Sequence, residues 1–270
     1  MTSGRQGRSA AGMFYVETGQ GAPVVLVHGA FSDYRAWDPQ ADALAASHRV
    51  LSVSLRGYHP SQDRIGDATA ERHVKDVADL IGELATPVVL VGHSRGGRIA
   101  LDVAARCGRQ IDRLVLIEPG GVMEQDFLRQ PPSQAPAAPD IRPEVRRLIA
   151  AGDPATALET YIDSGHGAGT WKRLPGSFHE MAIANAHTIG MMIEDSSVPL
   201  SRVLARRVTA PTLLVVGSVS PQIFPKTIAV LQAELPMSSA VTIDEGDHFM
   251  TICETQTVNR ILTEFINSEK

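Results

Sequence analysis

Short apolar runs alternate along this chain with segments that have the periodicity of amphipathic helices. The runs are rich in Val, Leu and Ile, end in glycine or a small polar residue, and occupy residues 23–29, 49–57, 87–94, 112–120, 211–218 and 240–246. Continuous apolar runs of this length are typical of strands that are buried on both faces of a parallel sheet. The alternation therefore predicts an α/β fold with a mostly parallel, twisted sheet that is flanked by helices.

Between the runs, apolar residues recur at the i, i+3, i+4 spacing of helices that pack one face on a sheet. Helices are predicted after the second run, after Ser94 and at about residues 252–267. Gly108 is predicted to end the helix that follows Ser94, because glycine is the usual C-terminal cap.

The alternation stops in the middle of the chain. A proline-rich tract at residues 131–139 opens a region without strand-like runs, and helical stretches follow at residues 142–152, 153–165 and 175–192. Proline at that density prevents regular structure locally. We therefore predict one α/β core at residues 1–121 and 207–270, with a helical cap inserted at residues 122–206.

Composition and charge narrow the environment and the partners. The chain has 270 residues and two cysteines, Cys107 and Cys253, without metal-ligand spacing, which indicates reduced, packed thiols in a reducing compartment. No signal-peptide run opens it, and no stretch reaches the ~18 apolar residues of a membrane span. We expect a soluble, cytoplasmic protein. A net charge of −5 with interspersed signs argues against nucleic acid as a partner.

The most informative motif is Gly-His-Ser-Arg-Gly-Gly at residues 92–97, directly between a predicted strand and a predicted helix. This is the context of the G-x-S-x-G nucleophile elbow. Its glycines let the helix cross close to the strand, while Ser94 takes a strained turn that lifts its hydroxyl above the sheet. The motif predicts that Ser94 is a nucleophile at the positive end of a helix dipole.

The ordered set of motifs resembles the α/β-hydrolase-fold superfamily over nearly the whole chain. The matching segments are residues 24–37, 91–97, 114–119, 211–221 and 245–250. The resemblance implies a serine nucleophile at Ser94, a histidine base at His248 and an oxyanion hole. In this chain, the backbone N–H groups of Ala30 and Arg95 match the positions that form the oxyanion hole in the family.

The third triad member departs from the commonest family pattern. That pattern puts an aspartate roughly where Ser220 stands, and a hydroxyl cannot offset an imidazolium charge. Glu118 is the preferred substitute, because it ends the strand beside that of Ser94 and faces the same carboxyl edge of the sheet. Some relatives are similar in taking their acid from that strand. The alternatives are no acid at all, or Asp195, Glu194, Asp247 or Asp244.

Candidate substrate-binding residues come from both parts of the chain. Phe31 adjoins the predicted oxyanion loop, and Phe249 adjoins His248. The cap contributes Trp171, Met181 and Met191. Methionine and aromatic side chains provide an adaptable apolar lining, although helical spacing alone more often indicates packing against the core.

Together these residues predict a serine hydrolase without cofactor or metal, acting on a carboxylic ester or lactone of a small to medium, apolar substrate. The same serine chemistry suits cleavage of a C–C bond in a diketone, of an amide or of a thioester. A slow hydrolase that serves as a ligand-binding protein is a further alternative. Epoxide hydrolysis and dehalogenation are disfavoured, because those relatives use aspartate where Ser94 stands. The substrate and the choice between monomer and homodimer stay open.

Overall fold

The computed structural model describes residues 4–121, 123–124, 127–128, 140–194 and 199–268. Within these ranges eight strands form one sheet in the order β1-β2-β4-β3-β5-β6-β7-β8. The strands are β1 Arg5–Arg8, β2 Phe14–Thr18, β3 Ala22–Val27, β4 His48–Ser54, β5 Val88–His93, β6 Ile111–Ile117, β7 Thr212–Gly217 and β8 Ser238–Ile243. The pairs β1–β2 and β2–β4 are antiparallel, and the remaining pairs are parallel.

Helices separate most of the strands. They are α1 Asp38–Leu44, α2 Ala70–Glu83, α3 Arg95–Cys107, α4 Arg142–Ala150, α5 Pro154–His166, α6 Thr170–Arg173, α7 Gly176–Ala184, α8 Ile189–Glu194, α9 Arg202–Arg207, α10 Ile223–Glu234, α11 Met250–Cys253 and α12 Thr255–Asn267. Short 3₁₀ turns lie at Tyr34–Trp37, Gln62–Asp67, Gly108–Gln110 and Ala186–Thr188. The expected α/β fold with a mostly parallel sheet is confirmed.

Two apolar layers enclose the central strands. In β3, Val25 and Val27 join the layer built with α2, α3, α9 and α10, whereas Val24 and Leu26 join the layer built with α1 and α12. Side chains alternate between the two faces of a strand, so a strand covered on both faces needs apolar residues at every position. This is why the parallel strands are continuous apolar runs in the sequence.

The first two strands were not predicted from the sequence. β1 has four residues and is mostly exposed, and β2 has five residues with only Phe14 buried. As the outer antiparallel strands of the sheet they need no continuous apolar run. The sequence signal is therefore weak, although every residue of β2, from Phe14 to Thr18, pairs with β4.

Helices α4 to α8 lie between β6 and β7 and share a third apolar cluster with Phe31 and Phe249 of the sheet loops. Polar contacts join these helices to the loops. Asn185 donates to Asp33 Oδ2 over 2.8 Å and accepts from the backbone N–H of His59 over 2.8 Å. Asn185 is fully buried, so these hydrogen bonds fix the helices over the carboxyl edge of the sheet. The proline-rich tract lies outside the described residues.

Two features bear on the expected environment. In the ranges described, no helix is long and apolar enough to cross a bilayer. Both thiols are free, and Cys107 is half-buried, but Cys253 is exposed at the end of α11. The expectation of a packed thiol is therefore wrong for Cys253.

A close backbone contact in the core lies at Gly96 of α3, where an added Cβ would lie 2.3 Å from the Val27 oxygen and 2.4 Å from the His28 oxygen. We expect Gly96→Ala to lower the free energy of unfolding by about 1–3 kcal/mol or more, because backbone atoms must move. Urea denaturation measures this change.

Gly82→Ala is the matched control. Gly82 lies on the exposed side of α2, and an added Cβ would meet nothing within 4 Å. There alanine is expected to raise the free energy of unfolding by about 0.5–1 kcal/mol, because glycine is a poor helix former. Equal denaturation midpoints for Gly96→Ala and the unmodified protein would contradict the close crossing of α3.

Candidate active site

Ser94 occupies the tight turn between β5 and α3, with φ +52° and ψ −120°. A non-glycine residue at positive φ is held there only when its surroundings determine the conformation. Gly92 and Gly96 provide these surroundings, since a Cβ at Gly92 would lie 2.4 Å from the Gly96 oxygen. The strand and the helix therefore meet without side chains between them, and the serine hydroxyl points to the carboxyl edge of the sheet.

The structure brings Ser94, His248 and Glu118 into one chain of hydrogen bonds. The Ser94 hydroxyl lies 3.0 Å from His248 Nε2, and His248 Nδ1 lies 2.7 Å from Glu118 Oε2. With Nδ1 protonated, the imidazole donates to the carboxylate and its Nε2 accepts from the serine. This is the geometry in which a histidine removes the proton of a serine that attacks a carbonyl.

Glu118 follows β6 directly and is held in a left-handed conformation with φ +41°. Its carboxyl group is fully buried, and Oε1 accepts from the Gly217 N–H over 2.8 Å. Burial raises the pKa of Glu118, while the Gly217 N–H opposes that increase. Ser220, which stands at the usual aspartate position, is buried beside Gly217, and its hydroxyl has no hydrogen-bond partner among the described residues.

The other carboxylates considered from the sequence are placed elsewhere. Asp247 accepts from the Phe249 N–H over 2.8 Å through Oδ1, and Asp244 is exposed. Asp195 lies outside the described residues, as does the side chain of Glu194. Among the described side chains, Glu118 is the one bonded to His248 Nδ1.

His248 is buried among aromatic rings. The ring of Phe224 lies parallel to it at 4.3 Å between centroids, and the His93 ring lies at 4.8 Å. His93 Nε2 is 2.9 Å from the His248 backbone oxygen and so fixes the loop that carries His248. Burial lowers the pKa of His248. The imidazole is therefore neutral near pH 7, the state a general base requires.

Ala30 and Arg95 both line the cavity beside Ser94. Arg95 is the first residue of α3, where backbone N–H groups have no partner within the helix. The preceding Gly29 lies close to the nucleophile, since a Cβ there would be 3.2 Å from the Ser94 Cβ. The two residues expected to form the oxyanion hole thus flank the hydroxyl, at the positive end of the helix dipole.

A cavity of about 440 Å³ opens above Ser94. Its wall is largely apolar and comes from sheet loops and cap helices. Apolar lining residues are Ala36, Ile141, Ile162, Phe178, Met192, Ile223, Phe224 and Ile252. Polar groups include Arg98 and Tyr161. In the described parts of the chain, no group of three or more His, Cys, Asp or Glu side chains is arranged to hold a metal ion.

Of the predicted substrate-binding residues, Phe31 and Phe249 line this cavity. Trp171, Met181 and Met191 are not among the described residues of its wall. Trp171 and Met181 are buried in the apolar cluster of the cap, and Met191 packs against the main core. This differs from the expectation, because helical spacing shows that a face is buried but not what covers it.

Sequence reasoning missed several residues of the wall. Met192, rather than its neighbour Met191, reaches the cavity, because successive residues of a helix point about 100° apart. Phe224 and His166 both lie against His248. His166 directly follows the predicted helical stretch at residues 153–165 and belongs to no motif, so no signal in the sequence separates it from a surface histidine.

Comparisons with known proteins identify the family of the chain. Residues 24–260 match the model of the alpha/beta hydrolase family. The protein belongs to that family, and the resemblance seen in its motifs is confirmed.

Individual relatives are distant. The solved structure of an α/β hydrolase from Sphaerobacter thermophilus DSM 20745 superposes with a TM-score of 0.77 at 25% identity, over 97% of this chain and 100% of that one. A putative carbamate hydrolase, RutD, of Agrobacterium fabrum is 25% identical over 91% of this chain and 93% of its own.

Local matches cover less. The (E)-2-((N-methylformamido)methylene)succinate hydrolase of Acinetobacter baylyi is 31% identical over 38% of this chain and 40% of its own. For the first curated relatives, the matched region spans only 31% to 40% of the relative's length.

Glu118→Gln tests the acid of the hydrogen-bonded chain. The neutral amide keeps the shape of the side chain but removes the charge that stabilises an imidazolium. We expect a fluorophosphonate to label Ser94 in this variant up to about 10⁴-fold more slowly than in the unmodified protein. The rate is followed by intact-protein mass spectrometry.

Ser220→Ala is the matched control, because Ser220 is a buried residue beside Gly217, which bonds to the same glutamate, and it carries no charge. Its labelling rate is expected to stay within about tenfold of the unmodified protein, the size of one neutral hydrogen bond. A Glu118→Gln protein that reacts as fast as the Ser220→Ala protein would remove Glu118 as the acid.

Proposed function

We propose that this protein is a serine hydrolase that cleaves a carboxylic ester or lactone through an acyl-enzyme on Ser94. The observation that carries the proposal is the continuous hydrogen-bonded chain from Ser94 through His248 to Glu118 at the base of the cavity. Nucleophile, base and acid are thus in contact before any substrate binds.

In the first half-reaction, Ser94 Oγ attacks the substrate carbonyl carbon while His248 Nε2 takes the hydroxyl proton. The carbonyl oxygen becomes an oxyanion, which accepts from the N–H groups of Ala30 and Arg95. Such fixed donors are worth about 10²–10³ in rate each. When the tetrahedral intermediate collapses, the C–O bond breaks and His248 returns its proton to the leaving alkoxide.

In the second half-reaction, water attacks the acyl-enzyme. His248 takes a proton from the water, the C–O bond to Ser94 breaks, and His248 protonates Ser94 Oγ again. In a lactone, the alcohol released first remains attached to the acyl group. Glu118 offsets the charge of the transient imidazolium in both halves. The chain itself supplies every group that moves a proton or holds charge, so the reaction requires no cofactor.

The cavity supports a small to medium, mainly apolar substrate. Its volume of about 440 Å³ lies within the ~300–1,000 Å³ of small-molecule sites. Aromatic and aliphatic side chains make up most of its wall, while Arg98 and Tyr161 contribute polar edges. We propose that the apolar wall binds the acyl or alcohol part by excluding water.

Cleavage of an amide-type bond is the second candidate. The full-length relative RutD is described as a putative carbamate hydrolase, and carbamates carry a C–N bond at the carbonyl. The same nucleophile and base serve both reactions, but an amine needs protonation before it leaves. Turnover of anilides would indicate the second candidate, whereas turnover of the matched esters alone would indicate the first.

Matched 4-nitrophenyl esters and 4-nitroanilides with acyl chains of two to eight carbons test the proposal. Turnover of the esters is expected without turnover of the anilides, because 4-nitrophenolate leaves unprotonated whereas an amine must first be protonated. Acylation of Ser94 releases a rapid first burst of 4-nitrophenolate and leaves an acyl adduct on the protein. Ser94→Ala is expected to abolish both, with a loss of turnover of about 10⁴–10⁶-fold.

Ser218→Ala is the control serine substitution, because Ser218 is exposed and its hydroxyl accepts from the Glu245 N–H away from the cavity. It is expected to retain normal turnover. A Ser94→Ala protein with full ester turnover would refute the proposed mechanism. A stoichiometric acyl adduct on Ser94 without turnover would instead favour a slow hydrolase that serves to bind a ligand.

A further inference from the structure

A second imidazole covers the candidate base. His166, the last residue of α5, comes from the cap and lies parallel to His248, with 4.6 Å between ring centroids and 19° between planes. The same ring lies edge-on to Phe249 at 5.2 Å. The cap thus places an aromatic ring directly on the base of the hydrogen-bonded chain, where the hydrolytic mechanism proposed above needs only His248.

This ring also separates two cavities. His166, His248 and Phe249 line both the cavity above Ser94 and a second cavity of about 200 Å³. The wall of the second cavity includes Arg173 and Asp247. Shortening His166 to alanine would therefore remove part of the wall between the two spaces, and water would reach the face of His248 that the ring now covers.

Stacking, rather than hydrogen bonding, holds the His166 ring. Its Nδ1 is inaccessible to solvent and has no hydrogen-bond partner among the described residues. The ring also lies nearly parallel to Phe224, with 6.0 Å between centroids and 9° between planes. A phenylalanine would keep these ring contacts, so the chemistry that the position requires is a flat, uncharged surface.

Several charged and titratable groups surround His248, and the His166 ring is not a charged member of this set. Glu118 bonds to Nδ1, His93 lies at 4.8 Å, and Asp247 and Arg173 face it across the second cavity. Burial and then the neighbouring His248 lower the pKa of His166 to about 3. His166 is therefore neutral near pH 7 and adds no charge to the group.

We propose that His166 is a positioning residue, which covers one face of His248 and so excludes water from the general base when the cap is in place. This inference rests on the proposed role of His248. It implies that the cap supplies part of the catalytic environment as well as the wall of the cavity. The base reaches its working environment only when α5 is packed over the carboxyl edge of the sheet.

Titration of the ¹⁵N-labelled histidines by NMR tests this without any substrate, with the His248 signals assigned by their loss in His248→Gln. In His166→Ala, water can hydrate the imidazolium of His248, so its pKa is expected to rise by about one unit. In His166→Phe the ring cover remains, and the pKa of His248 is expected to stay within about 0.3 of the unmodified protein.

His179→Ala is the matched control. His179 is a second cap histidine that stacks on an aromatic ring, that of Trp171 at 4.1 Å, but it does not line the cavity. Its replacement disturbs the packing of the cap and is expected to leave the pKa of His248 unchanged. If the protein hydrolyses esters, the pH at which kcat/KM falls on acidification should increase together with the pKa of His248. This increase is expected in His166→Ala and not in the other two variants.

Two results would overturn the inference. One is an unchanged pKa of His248 in His166→Ala. The other is an equal rise in His166→Ala and His179→Ala, which would mean that general loosening of the cap is responsible. Because the NMR titration needs no turnover, an absence of ester hydrolysis would count against the proposed function and leave this test intact. Near-ultraviolet circular dichroism verifies that each variant is folded.

Discussion

The arrangement of the site depends on the close crossing of α3 over the central strands. Gly92 and Gly96 allow the helix backbone to pass within contact distance of β3 and β5, and no side chain fits between them. This contact forces Ser94 into its positive φ and aims the helix N-terminus at the same point as the hydroxyl. The packing of the sheet thereby sets both the position of the Ser94 hydroxyl and the field around it.

The remaining groups follow from the topology of the sheet. In a parallel sheet the carboxyl ends of all strands meet at one edge. Ser94 follows β5, Glu118 follows β6, and His248 lies in the loop after β8. His248, the middle member of the hydrogen-bonded chain, thus follows β8, which lies two strands away from β6 in the sheet. The long side chain of Glu118 spans part of the distance between the ends of these two strands. Burial then makes the neutral imidazole favourable at rest.

The cap contacts the carboxyl edge of the sheet in two ways. Asn185 and His187 fix it to the sheet loops through hydrogen bonds to Asp33 and to the Gly57 oxygen. Apolar residues of the cap complete the cavity wall, and His166 lies on the base itself. Under the proposed function, the same helices would both bind the substrate and cover His248, which would link the position of the cap to the chemistry at Ser94.

Local patterns in the sequence predicted the parallel strands and the turn that carries Ser94, because strand burial and turn geometry leave a periodic or motif signal. The partnership of Ser94 with His248 was implied by the resemblance of the ordered motifs to a family. Glu118 was the preferred acid, since a carboxylate at a strand end has a defined position in a parallel sheet, but other carboxylates remained alternatives. The folded arrangement was needed to show that Glu118 bonds to His248 and that Met192 and His166, rather than Met191 and Trp171, face the cavity. Contacts between a cap helix and a distant loop leave no periodic signal, because they depend on how the layers pack and not on any local spacing.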